Sequence, residues 1–291
     1  MNMTDAQLHA KTQRRRNKDK INQLIFLAST SIGIIVLMIL IIDILIDGIH
    51  FLRPELFTNF PSRLPSRAGL VSALIGSIYM LLILAPLSFI IGVGAAIYLV
   101  EYAKKGPVSN FIQVCISTLA GIPSIVYGIL GLTIFVQLLN LGNSLLAGIF
   151  TMTLLVLPVI IVSSQEAIKA VPAARRDASF ALGATKWQTV QNAVLPSAIP
   201  GILTGVILSV SRAIGETAPL VVIGAATFVP FLPANLLDQF TVLPLQIYNW
   251  IGLPRIEFQQ LAASGIIVLL VLLVVMNITA VVIRNKYQKN I

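Results

Sequence analysis

The stretch VPAARRDASFALGATKWQTVQNAVLP, residues 171–196, is polar and alanine-rich within a chain that is otherwise mostly apolar. Val171 and Pro172 suit a helix start, because a proline is tolerated in the first turn, where its missing N–H would have no partner. The alanine-rich run 173–182 contains no breaker and predicts a helix. Gly183 then supplies a left-handed stop. Thr185 with Gln188 three residues later has the spacing of a capping box, so a second helix should start there and run to Leu195, ending at Pro196. An ordered helix, glycine turn and helix stand where most membrane proteins carry a short, featureless loop. On spacing alone the pair is also compatible with interfacial helices resting on lipid headgroups.

What flanks this loop sets the class. The chain has 291 residues, 57% hydrophobic and 11% charged, with mean hydropathy +0.92. A soluble domain carries about 25% charged residues and could not hide this much apolar surface. Six stretches approach or exceed the roughly 20 apolar residues that a spanning helix needs: 24–42, 71–100, 111–139, 145–162, 199–228 and 264–283. The first follows a basic region, as a signal peptide would, but it is too long and lacks a small-x-small cleavage site, so it reads as a retained anchor. The fold class is therefore an all-α integral membrane protein with six transmembrane helices.

The formal charge of +9 separates by side. Lys11, Arg14, Arg15, Arg16, Lys18, Lys20, Lys104, Lys105, Lys169, Arg175, Arg176, Lys186, Arg284, Lys286 and Lys289 fall on one side, and Arg53, Arg63, Arg67 and Arg255 on the other. By the positive-inside rule both termini and the 163–198 loop are cytoplasmic. Orientation thus accounts for the basic N-terminus, and with no aromatic residues interleaved the run does not read as nucleic-acid binding. The organisation is a basic cytoplasmic tail over 1–22, a first span and outer loop over 23–70, a core over 71–283 holding the 163–198 loop, and a cytoplasmic tail over 284–291. Cys115 stands alone, so no intrachain disulfide forms, and His9 and His50 make no metal spacing. No Gly-Lys-Ser/Thr phosphate loop occurs, so ATP hydrolysis is not expected on this chain.

Arg212 and Glu216 fall inside the fifth apolar stretch, where an arginine costs about 2.5–3.5 kcal/mol on insertion scales. At i, i+4 they would share one helix face, although Arg before Glu is the less favoured order. Two readings stand: an ion pair that locks helices together, or a polar face on a translocation path. In the second, Arg212 offers a planar donor fork to an oxyanion and Glu216 moderates the affinity. Pro86 and Pro123 should kink the second and third spans, as packing kinks or as hinges. Glu101 reads as an ordinary boundary charge. The outer stretch 229–263, with Tyr248, Trp250 and Phe258, reads as a loop that meets a binding protein or as an interfacial aromatic belt.

Asp177-Ala178-Ser179, three residues, Gly183, nine residues and Ala193-Val194-Leu195-Pro196 resemble the cytoplasmic EAA motif of ABC importer permeases, with Asp for Glu, Ser for Ala and Ala for Ile. Gly121-Ile122-Pro123-Ser124-Ile125-Val126-Tyr127-Gly128, residues 97–102 (IYLVEY) and residues 211–219 (SRAIGETAP) resemble the permeases of phosphate ABC importers. Leu56-Phe57-Thr58-Asn59-Phe60-Pro61 points to the PstA type rather than the PstC type. The resemblance covers roughly residues 50–285 and implies a MetI-like importer permease fold in the plasma membrane. It also implies a phosphate cargo, a PstC-type permease partner, two PstB-type ATPases that carry ATP and magnesium, and a PstS-type phosphate-binding protein. Arg175, Arg176, Asp177, Ala178, Ser179, Gly183, Leu195 and Pro196 would then form the coupling loop to the ATPase, with Arg175, Arg176 and Asp177 as polar rim contacts. Arg212 and Glu216 would line the substrate pathway. An ion-gradient-driven transporter is the rival class, as is a permease for another oxyanion.

Overall fold

Length and hydropathy set the frame of spans, and backbone geometry decides where they break. The computed structural model describes residues 5–104, 106–225 and 228–288, so Lys105 and Lys289 of the basic set lie outside the described residues. In chain order the helices are α1 (Asp5–Ile49), α2 (Pro54–Thr58), α3 (Val71–Ile97), α4 (Pro107–Leu119), α5 (Ser124–Gly131), α6 (Leu145–Lys169), α7 (Ala173–Ala181), α8 (Lys186–Thr189), α9 (Leu195–Ile214), α10 (Ala218–Val222), α11 (Leu243–Ile251) and α12 (Ile256–Gln288). Single π turns extend α3 over Tyr98–Tyr102, extend α5 over Leu132–Leu138 and join α8 to α9 over Val190–Val194. Five continuous helical stretches are long and apolar enough to cross a membrane, and the bent pair α4–α5 makes a sixth where it is counted as one span.

Four expectations change. The third apolar stretch is broken, not merely kinked: α4 and α5 meet at 106°, with Pro123 in extended geometry immediately before α5. The fifth stretch ends as a helix at Ile214, and a short α10 follows. Pro196 does not end the loop's second helix. It sits in the first turn of α9, and the π turn just before it lets the chain run as one helical stretch from Lys186 to Ile214. Finally, α6 continues to Lys169, so the cytoplasmic connection starts about two turns later than hydropathy placed it, and the outer stretch 229–263 contains α11. Pro86 lies inside α3, which continues through it.

The core is the packing of α3, α6 and α9, with Met80, Leu84, Ile149, Met152, Ile160 and Ile202 buried together. In lipid this contact gains little from the hydrophobic effect and depends on close approach through small residues. Gly201 and Gly205, one turn apart on α9, face Ala167 and Ser163, one turn apart on α6: a Cβ on Gly201 would lie 2.9 Å from the Ala167 Cβ, and one on Gly205 would lie 2.3 Å from the Ser163 Oγ. Gly205→Ala is therefore expected to destabilise the chain by about 1–3 kcal/mol, the usual cost of overpacking. Gly94→Ala, within α3 and with nothing within 4 Å of an added Cβ, should not destabilise and should gain up to about 1 kcal/mol from helix propensity. Thermal unfolding of the two variants in detergent makes the comparison.

A second buried cluster closes the outer end, where Leu70, Leu243, Ile247, Trp250 and Phe258 pack together. α1 joins the body near this end: the Ser264 Oγ donates to the Gly48 carbonyl at 2.8 Å, and a Cβ on Gly48 would lie 2.8 Å from the α12 backbone. The apolar length of α1 is otherwise uncovered by this chain.

Candidate coupling loop and intramembrane charged pair

The loop forms as its sequence dictates. Gly183 has φ +81°, and the Thr185–Gln188 capping box is complete: the Gln188 side chain accepts from the Thr185 N–H at 2.8 Å and the Thr185 hydroxyl from the Gln188 N–H at 3.4 Å. Ser179 and Thr189 share a 2.9 Å hydroxyl contact that ties α7 to α8. A side chain at 183 would meet nothing within 4 Å, so a substitution there acts through backbone strain alone. Gly183→Val is expected to loosen the turn by about 1–2 kcal/mol, read as faster proteolytic cleavage between Ala181 and Thr185. Gly183→Asn, which tolerates the left-handed region, should stay near the parent.

The arginines of the loop divide. Arg175 is exposed and donates to the Ser197 Oγ across an open groove of about 440 Å³ under α7, floored by Pro172, Pro196 and Pro200. Arg176 turns inward. Its Nε and Nη2 donate to Glu101 Oε1 at 3.2 and 2.9 Å, its Nη1 to the Val171 carbonyl at 2.7 Å and its Nη2 to the Ile168 carbonyl at 2.9 Å. One guanidinium thus caps the carbonyl end of α6 and ties it to the π turn after α3. Glu101, expected to be an ordinary boundary charge, is the acid of this clamp. Arg176 does not stand on the rim: its side chain is 20% exposed and that of Glu101 12%. The Lys186 ammonium lies 5.1 Å from the Tyr102 ring centroid and fastens α8 to the same turn. The loop's outward surface carries three large apolar side chains, Phe180, Leu182 and Trp187, among exposed Arg175, Asp177, Ala178, Lys186 and Gln188. Leu195 packs against the core, so Leu195 and Pro196 start α9 and are not part of that outer surface.

Arg212 and Glu216 flank the break of the fifth stretch. Arg212 occupies the last turn of α9, where a cation is favoured by the helix dipole, and Glu216 follows the helix end. The Arg212 Nε donates to Glu216 Oε1 at 3.4 Å. Both belong to one segment, so their contact does not lock two helices together. The Arg212 side chain is 70% exposed and that of Glu216 20%. Arg212 lines a crevice of about 30 Å³ with Leu155, Val159, Ser209, Tyr127 and Ala120. This places it level with the middle of α6 and against the α4–α5 break, where the Tyr127 hydroxyl donates to the Leu119 carbonyl at 2.8 Å. The crevice has room for about one water, so an anion reaches Arg212 only from its open side. Among the described residues no cluster of three metal-ligating side chains occurs.

Residues 88–289 match the family described as binding-protein-dependent transport system inner membrane component. The chain is 32% identical to the probable ABC transporter permease protein YqgI of Bacillus subtilis over 91% of this chain and 95% of that one. It is 30% identical to the phosphate transport system permease protein PstA of Yersinia pestis, covering 94% and 92%, and 31% identical to PstA 1 of Mycobacterium tuberculosis, covering 94% and 90%. In fold it is similar to a chain of a bacterial alginate ABC transporter, with a TM-score of 0.69 at 13% identity over 95% and 98% of the two chains. A chain of the inward-facing MetNI methionine ABC transporter gives a TM-score of 0.61 at 20% identity over 75% and 95%. With six apolar spans, a folded cytoplasmic helix pair and this match over most of its length, the chain belongs to the family of inner-membrane permease components of binding-protein-dependent ABC transporters.

Proposed function

We propose that this chain is the PstA-type permease subunit of an ATP-driven importer of inorganic phosphate. It works beside a PstC-type permease, two PstB-type ATPases that bind ATP and magnesium, and a PstS-type phosphate-binding protein. The observation that carries an oxyanion cargo is Arg212: a guanidinium at mid-depth, open on one side and held by a single carboxylate contact of 3.4 Å. Arginine presents a planar donor fork that suits a tetrahedral oxyanion, and the adjacent Glu216 keeps the site from holding that anion too tightly. The likeness to the PstA proteins of two organisms over 94% of this chain favours phosphate over other oxyanions. On the cytoplasmic side, Phe180, Leu182 and Trp187 supply an apolar knob for a groove on the ATPase, in the manner of a helix in a groove.

The test is the assembled complex in vesicles loaded with ATP, with the phosphate-binding protein outside. Labelled phosphate should accumulate, and a hundredfold excess of sulfate should not compete. Accumulation of sulfate without phosphate would overturn the cargo assignment.

A further inference from the structure

α4 has an unusual standing in this chain. It is 13 residues long and none of them is buried, with Val108, Phe111 and Val114 all 63% exposed or more. It is separated from α5 by the 106° bend. Apart from the Tyr127 hydroxyl of α5 on the carbonyl of its last residue, Leu119, its polar side-chain tie to another helix among the described residues is a reciprocal amide pair with α6. The Gln113 Nε2 donates to Gln165 Oε1 at 2.8 Å, and the Gln165 Nε2 donates to Gln113 Oε1 at 3.0 Å. Gln165 is 1% exposed. Two amides that satisfy each other in an apolar setting hold a fixed mutual geometry, because breaking the contact leaves both groups without partners.

The position of the pair gives it a consequence. Gln165 lies one turn before Ile168, whose carbonyl Arg176 of α7 grips. Six residues beyond Gln113, about 9 Å along the helix, Leu119 and Ala120 form one wall of the crevice at Arg212. The path from the cytoplasmic helix pair to the charged pair thus runs through two hydrogen-bonded steps, Arg176 to the end of α6 and Gln165 to Gln113, and then along α4 itself to the crevice wall.

We infer that Gln113 and Gln165 are positioning residues, a latch through which α6 carries α4 and so opens or closes the wall beside Arg212 when the cytoplasmic loop moves. This rests on the reading of the chain as an ATP-driven permease. The latch itself requires only that α6 move with nucleotide state. Because no residue of α4 is fully buried, the amide pair is its main polar hold on α6, so α4 follows α6 while the amides are paired and loosens from it when they are not.

The experiment uses the full complex. In a Cys115→Ser background, spin labels at Val108 on α4 and Glu166 on α6 report the distance between the two helices with and without ATP. The latch predicts one narrow distance in both states and a broadened one in Gln165→Ala. A shift of more than roughly 3 Å between states in the latched chain, well beyond the scatter of packed helices, overturns the proposal. In vesicles, Gln113→Ala and Gln165→Ala should each raise the ATP hydrolysed per phosphate roughly tenfold, the scale of one lost hydrogen-bonded pair. Stimulation of the ATPase by the binding protein should stay at the parent level. Gln113→Arg combined with Gln165→Glu, which replaces the amide pair by an ion pair, should restore the ratio. An unchanged ratio in both alanine variants contradicts the latch, and if those variants fail to assemble the distance measurement on the latched chain decides. Absence of phosphate uptake by the parent complex would instead sink the cargo assignment, and the label distances would still test the latch.

Discussion

Arg212→Ala is expected to lower phosphate uptake by roughly 10- to 100-fold, the loss corresponding to charge-assisted hydrogen bonds of about 1.5–3 kcal/mol. Complex assembly and basal ATP hydrolysis should survive. The geometry argues for this division. The side chain is 70% exposed and its one carboxylate contact, long at 3.4 Å, lies within its own segment, so truncation opens no cavity in the α3–α6–α9 core. Glu216, 20% exposed, loses its partner, and Arg212→Ala with Glu216→Gln controls for the stranded carboxylate. Arg212→Lys keeps the charge but not the planar fork and should fall between the two. Glu216→Gln should show the opposite imbalance. With the competing carboxylate neutralised, the anion binds more tightly and leaves more slowly, so KM and the maximal rate both fall. Initial-rate uptake over a range of phosphate concentrations separates these outcomes. Uptake by Arg212→Ala at the parent rate would remove the arginine from the pathway.

Arg176→Ala is expected to be the most damaging change on the cytoplasmic side, and through a different route. It removes four hydrogen bonds at once, takes the side-chain donor from the Val171 carbonyl and from the Ile168 carbonyl, which keeps the Val171 N–H, and strands Glu101, whose side chain is 12% exposed. Breaking a largely buried charged pair on one side costs about 2–4 kcal/mol, mostly from the charge left behind. Glu101→Gln alone should cost less, because a neutral amide still accepts from the guanidinium. The double variant should recover part of the loss, with a coupling energy above about 1 kcal/mol. Melting temperatures of the four chains in detergent give the cycle. Stimulation of ATP hydrolysis by the binding protein should vanish in Arg176→Ala, since α7 is then no longer fixed to α6. Additive melting temperatures would show that the clamp is an incidental surface contact.

These contacts mark where reading by sequence spacing stops. The cytoplasmic helix pair was legible because its determinants are local: a proline, a glycine at positive φ and a capping box three residues wide all act within one turn. The break at Pro123 and the helix end at Ile214 were not, because hydropathy sums apolar residues and is blind to chain direction. A stretch such as 111–139 scores the same bent by 106° as straight. The turn residues Gly121 and Pro123 were visible, but a single proline is often accommodated inside an apolar span, as Pro86 is in α3 and Pro158 in α6. The Arg176–Glu101 clamp joins residues 75 apart and the Gln113–Gln165 pair residues 52 apart. No local pattern announces such pairs. One missed signal was within reach: Gly201 and Gly205 on α9, matched by Ser163 and Ala167 on α6, repeat the small-residue spacing that lets membrane helices approach closely.

Passage of phosphate through this chain at the expense of ATP hydrolysed on a partner is read from phosphate entry into vesicles holding the complete complex, with ion gradients collapsed and either ATP or a non-hydrolysable analogue inside. Accumulation is expected with ATP and none with the analogue. Accumulation that continues with the analogue and disappears only when an ion gradient is removed would contradict ATP-driven passage.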